Sequence, residues 1–157
     1  MAYERAGTGP WAWLKSVGTQ EEPLDLAWPH GEMHLLDRVF FSKHPRSIRA
    51  DDVLVYYASG RQVLPAIMLV TSDEVHDEGD DVPRWRYWMS VRPIMILSLR
   101  EAPTLTQAGI SPTSVRRQSH VLLSPKQYMH LRELMLHAVN VTLDSVEGDQ
   151  PLLPAPP

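Results

Sequence analysis

The chain has 157 residues, enough for one compact domain with a real core, and its 43% hydrophobic and 22% charged residues are the balance of a globular protein. It has no cysteine, which excludes a disulfide framework and a thiolate metal site, and no run of about 18 apolar residues, which excludes a membrane-spanning helix. A net charge of −4 argues against bulk coating of nucleic acid, which needs a basic domain, but leaves room for a local basic groove.

Residues 1–9 read as a flexible tail without an apolar signal region, so the sequence reads as that of a cytoplasmic protein. Residues 10–16 read as a strand in which Trp11, Trp13 and Lys15 share one face and Ala12, Leu14 and Ser16 the other. Polar residues 18–30 with two prolines read as loop. The spacing of Met33, Leu36 and Phe40 predicts a short helix over 32–41. A loop with four basic side chains follows (Lys43, His44, Arg46, Arg49). DDVLVYYASG then predicts a strand closed by a Ser-Gly turn, with VLPAIMLVTS as its hairpin partner. Pro65 cannot donate to a ladder, which places it at a bulge or an edge.

DEVHDEGDDVP reads as an acidic loop. RWRYWMSVR alternates, with Trp85, Tyr87, Met89 and Val91 on one face and Arg84, Arg86, Trp88, Ser90 and Arg92 on the other. IMILSLREAP continues after a break at Pro93, and residues 104–117 read as loop or a short helical turn. SHVLL predicts a strand. The last helix has a full start signal, with Ser124 as N-cap, Pro125 at the first helical position and Gln127 closing a capping box. Tyr128, Leu131, Met135 and Ala138 form its apolar stripe. Pro-rich residues 141–157 read as a disordered tail. About six strands and few helices, without alternating βαβ units, predict an α+β or barrel domain over 10–140.

The sequence has no P-loop and no GxSxG elbow. His30, His34 and Asp37 have helical spacing that suits a metal, but they do not form HExxH and Gly31 weakens a helix there, so they read as surface residues. The acidic loop 73–81 lacks the ligand spacing of a calcium loop and reads as solvated. His130 and His137 read as surface residues of the last helix. No nucleophile, base and orienting group stand together, so no catalytic residue is assigned and no cofactor or metal is expected. Trp28 differs from the other four tryptophans because it lies in a polar loop, LDLAWPHG, before Pro29. Such an aromatic suits the wall of a ligand pocket, and equally a loop tryptophan folded onto the core.

Four stretches carry a resemblance. WAWLKS resembles the opening strand of the PUA-like superfamily, and LDLAWPHG the loop in which the family places a pocket tryptophan. RSIRADDVLVYYASGRQVLPAIMLVTS resembles the hairpin of EVE domains, relatives of the YTH domains. RRQSHVLLSPKQYMHL, the most specific stretch, resembles the ending of one EVE subgroup. The chain departs from the family at Asp51-Asp52, where Gly-Asp is usual, and at Ser16-Val17-Gly18, where Thr-Glu-Pro is common.

The resemblance to the EVE domain implies a PUA-like mixed β pseudobarrel of about six strands, with short flanking helices and a C-terminal helix. It also implies a reader of nucleic acid, DNA or RNA, that holds a modified base, for example a methylated one, in an aromatic pocket. The expected pocket residues are Lys15, Ser16, Trp28, Trp85 and Tyr87, with Lys15 and Ser16 at the mouth. The expected rim that holds phosphates is Lys43, Arg46, Arg49, Arg116, Arg117 and His120. An enzyme acting on a nucleobase or nucleotide-like ligand in the same pocket is the alternative, and a scaffold that contacts protein through LLPAPP is a third class. No membrane partner is expected.

Overall fold

The computed structural model describes residues 10–81, 84–115 and 120–149. Its seven strands are β1 (Ala12–Val17), β2 (Arg38–Phe41), β3 (Val53–Ala58), β4 (Val63–Val70), β5 (His76–Asp77), β6 (Tyr87–Ile96) and β7 (His120–Leu123). A 3₁₀ turn, Met33–Leu36, precedes β2. A single helical turn, α1 (Pro112–Val115), and a long helix, α2 (Pro125–Asp149), complete the fold. The strands run in the order β2-β6-β4-β3-β1-β7, with β5 paired to β6. The β1–β3 pair is parallel and the other pairs are antiparallel. This mixed sheet curls into a half-barrel, so the fold is an α+β pseudobarrel with one C-terminal helix.

Strand alternation splits the buried residues into two clusters. Inside the curl lie Trp13, Phe41, Tyr56, Met68 and Met89. On the other side of the sheet lie Leu14, Val55, Ile67 and Leu105, covered by Leu131 and Met135 of α2. The capping box forms as the sequence indicates. The Ser124 N–H donates to Gln127 Oε1 at 2.9 Å, and the Gln127 N–H to Ser124 Oγ at 3.1 Å. Pro65 lies in a bulge: the register passes from Tyr56↔Ala66 to Ala58↔Val63, so Tyr57 alone faces Leu64 and Pro65.

Three expectations are corrected. Residues 32–41 are not one helix; they form the 3₁₀ turn and then β2, where buried Val39 and Phe41 alternate with Arg38 and Phe40. Pro93 does not end a strand. β6 passes through it with a register shift that leaves Ile94 unpaired and 49% exposed. The C-terminal helix does not stop near 140 but runs to Asp149, so 141–149, expected within a tail, is helical. Residues 1–9 and 150–157 lie outside the described residues. Among the described residues no helix is long and apolar enough to cross a membrane.

Candidate functional site: a cleft at the end of the first strand

β1 is held at its start by one buried carboxylate. Asp52 Oδ1 accepts the Trp11 N–H at 2.9 Å, while Oδ2 accepts the Trp13 indole N–H and the Arg49 N–H, both at 3.0 Å. Three donors surround this charge, and it is 0% exposed. Such a carboxylate fixes the strand rather than waiting for a ligand. Its neighbour Asp51 has φ +72°. The EVE pattern usually has glycine at this position, and aspartate is among the few residues that tolerate a left-handed backbone.

Two residues beyond Trp13 the same face of β1 carries Lys15, which is 1% exposed. Its ammonium donates to Ser16 O at 2.6 Å and lies over the Phe41 and Trp85 rings, 5.0 and 5.3 Å from their centroids. Among the described residues no carboxylate lies within ion-pair distance of it. Two desolvated cation–π contacts, at about 2 kcal/mol each, offset only part of the desolvation of an ammonium without a counter-charge. Burial therefore pulls the Lys15 pKa from 10.5 down to about 7.

The cross-strand partner of Lys15 in β7 is His120. The imidazole packs against Trp13 at 5.5 Å and Phe41 at 5.4 Å, and its buried Nδ1 has no hydrogen-bond partner. Burial first, and the Lys15 charge second, lower its pKa to about 4, so it is neutral at neutral pH.

β1 ends at a cleft of about 910 Å³ floored by Lys15, Ser16 and Leu35 and walled by Phe40 and Trp85. Glu21, Glu22, Glu32 and Glu78 also line it, with Arg84 opposing their charge. A second hollow of about 510 Å³, reaching Tyr57 and Val115, shares Lys15, Ser16, Arg84 and Trp85 with the first. Trp85 thus borders both. Its backbone has φ +59°, uncommon for a bulky residue, and its indole is half-buried. The Arg84 guanidinium lies 5.2 Å from its ring.

Of the expected pocket residues, Lys15, Ser16 and Trp85 meet in this cleft; Trp28 and Tyr87 do not line it. Lys15 sits at the floor rather than at the mouth. Trp28 is a core residue, 3% exposed, with its indole N–H donating to Leu97 O at 3.0 Å and its ring edge-on to Tyr56 at 6.4 Å. The Trp28–Pro29 peptide bond is cis. Tyr87 opens β6 and packs with His44 at 5.4 Å. Trp85 precedes β6, so the strand alternation expected from residue 84 begins only at 87.

The expected rim divides as well. Lys43, Arg46 and Arg49 are exposed in the loop after β2, outside the cleft lining. Arg116 and Arg117 lie outside the described residues. His120 is not a rim residue, because β7 pairing turns it inward beside Lys15. His30, His34 and Asp37 are exposed, and among the described residues no group of three or more His, Asp or Glu is placed to hold a metal ion. Arg86 ties down the acidic loop, pairing with Asp77 at 2.6 and 2.9 Å and also with Asp80. Its hydrogen bond is the main reason the Asp77 pKa falls to about 2.

Phe41, which packs on Lys15, and the four glutamates of the cleft were not readable as site residues, while His120 was expected at the rim and not beside Lys15. One signal was present: a lysine in phase with Trp13, on the core-facing side of a strand, is either snorkelling or buried for a purpose.

No family model matches the chain, and no curated protein matches it. Among solved structures it is similar to the crystal structure of protein Atu2648 from Agrobacterium tumefaciens, with a TM-score of 0.53 and 14% identity over 82% of this chain and 92% of that one. It is also similar to the NMR structure of Rpa0253 from Rhodopseudomonas palustris, with a TM-score of 0.48 and 10% identity over 81% and 94% of the two chains. The likeness to Atu2648 concerns the fold alone: a curled half-barrel of the kind compatible with PUA-like domains.

Proposed function

We propose that the protein is a binding module that captures a modified base of a nucleic acid in the cleft between Lys15 and Trp85. The observation that carries this reading is the meeting of Lys15, Ser16 and Trp85 in one cavity of about 910 Å³. That volume suits a nucleoside. A base that leaves its stack loses stacking energy, and the half-buried Trp85 indole returns about 1–3 kcal/mol of it. The Lys15 amine donates to a carbonyl or ring nitrogen, while the glutamates of the wall accept from exocyclic amino groups. The EVE resemblance supports the same reading, although the aromatic wall is Trp85 rather than Trp28. Lys43, Arg46 and Arg49 hold phosphates and set position without reading sequence.

Calorimetric titration of modified and unmodified nucleosides and short oligonucleotides tests this. At least one modified base should bind, and Trp85→Ala should remove that binding while lowering the melting temperature by no more than about 4 °C. With three described rim cations, the salt slope for a single strand should stay below about 3 in magnitude. The reading falls if no member of the panel binds at low salt, or if Trp85→Ala binds as well as the parent.

One observation favours a second reading, an enzyme acting on a nucleobase or nucleotide-like ligand in this cleft. Lys15 titrates near 7 at the cleft floor, where a general base is most effective at neutral pH. Turnover of a bound nucleoside, lost in Lys15→Met, would select it.

A further inference from the structure

We propose that Lys15 is an imine-forming amine, and that the cleft takes ligands carrying an aldehyde on a flat ring. The ring part rests on the base-capture reading above; the amine chemistry does not.

An amine attacks a carbonyl only as the free base, and a lysine becomes a free base near neutrality when it is desolvated and has no anion to hold its proton. Lys15 meets both conditions. It is 1% exposed, and among the described residues its ammonium donates to the Ser16 carbonyl and to no carboxylate. The groups packed on it are the Phe41 ring of β2, the Trp85 ring and the neutral His120 of β7. The charged or titratable groups lining the cleft around it are Glu21, Glu22, Glu32, His34, Glu78 and Arg84, and none of the carboxylates pairs with it. An anionic ligand would have to pass those glutamates; a neutral aldehyde would not.

In the reaction the Nζ lone pair bonds to the carbonyl carbon as the C=O π bond opens. The proton moves from nitrogen to oxygen, and water leaves to form the C=N bond. Cyanoborohydride, where added, reduces that bond to a secondary amine. The protein then gains the mass of the aldehyde less one oxygen.

The sequence provides its own controls, because Lys43 and Lys126 are its other two lysines and both are exposed. With its pKa pulled down towards 7 by burial, a substantial fraction of Lys15 is uncharged at pH 7, against roughly one in 10³ of an ordinary exposed lysine. The protein is incubated at pH 7 with cyanoborohydride and either 5-formyl-2′-deoxycytidine or benzaldehyde, and the adducts are mapped by peptide mass spectrometry. Lys15 should be labelled about tenfold or more faster than Lys43 and Lys126. That preference should shrink towards pH 10 as the exposed lysines lose their protons. Lys15→Arg keeps a cation but has no reactive amine at this position, and should leave only the slow labelling of Lys43 and Lys126 and that of any free α-amino group, which the peptide map separates.

Selective labelling of Lys15 by both aldehydes supports the proposal together with the base reading. Selective labelling by benzaldehyde alone supports the amine chemistry and counts against the base. Equal labelling of all three lysines by both aldehydes overturns the proposal, even if 5-methyl-2′-deoxycytidine binds reversibly and the base reading stands. Should Lys15→Arg not fold, the ratio within the parent protein still decides.

Discussion

Asp52 and Lys15 are the charged residues that the described fold buries, at 0% and 1% exposure, and both contact β1. Asp52 meets three N–H donors at the start of the strand. Lys15, near its end, meets a carbonyl and two aromatic rings. A buried charge surrounded by donors has its desolvation offset within the fold, and its role is to hold the backbone. A buried cation without an anion among the described residues leaves part of that cost standing, which is the pattern of a candidate site rather than of a scaffold. WAWLKS therefore contains a scaffold end and a site end four residues apart.

The largest effects are expected at the start of β1, where Asp52 holds the backbone. Asp52→Ala strands the Trp11, Trp13 and Arg49 donors and should cost about 3–5 kcal/mol in denaturant unfolding. Trp28→Ala removes a buried indole and its bond to Leu97 O, and should cost a similar ~3–5 kcal/mol. Trp85→Ala, at the cleft wall, should cost under about 1 kcal/mol. If Trp28→Ala leaves the unfolding midpoint in place while Trp85→Ala lowers it strongly, the two tryptophans have been assigned the wrong way round.

Those two residues also show what the sequence carried. The strands around β1, β3, β4 and β7 were legible because each is a short run rich in apolar, β-branched and aromatic residues bounded by polar or turn residues. So were the α2 start and the Pro65 bulge, because each follows from local chemistry at one or two residues. Trp28 misled, since its partners Tyr56 and Leu97 are distant in sequence and no local pattern announces them. Residues 32–41 misled because Met33, Leu36 and Phe40 fit a helical face as well as a turn followed by a strand. Trp85 was placed in a strand whose alternation fits it, but the backbone turns left-handed there. In the site, Lys15 and Ser16 came from the motif and Trp85 from its aromatic character. The depth of Lys15 depends on Phe41 and His120, which tertiary pairing alone brings to it.

The next effect sharpens the Lys15 side. In the unfolded chain this lysine keeps its proton up to about pH 10.5; folded, it does so only up to about 7. Between those values the unfolded state binds more protons, so stability rises with pH, by about 1.4 kcal/mol per pH unit. Below about pH 7 both states are charged and the full penalty applies. Lys15→Met fills the same space without a charge. It should be more stable than the parent by about 1–4 kcal/mol at pH 6, with the advantage shrinking through pH 7–10. Unfolding curves of both proteins at several pH values check this. A difference that does not vary with pH would show that Lys15 keeps its proton throughout, and would place it with Asp52 as a satisfied charge.

The smallest effect lies beside Asp52. Asp51 is exposed, holds φ +72° and donates its N–H to Val70 O at 2.8 Å. A side chain in this region costs about 1–2 kcal/mol, less for aspartate, and glycine removes that cost while adding roughly 0.5–1 kcal/mol of unfolded-state freedom. Asp51→Gly should therefore gain about 0.5 kcal/mol at most, and Asp51→Ala should lose a comparable amount. Neither change reaches the cleft, so nucleoside titrations and the labelling rate of Lys15 should match those of the parent. A change in either readout would mean that the hairpin entry and the cleft move together, and that scaffold and site on β1 are not separable.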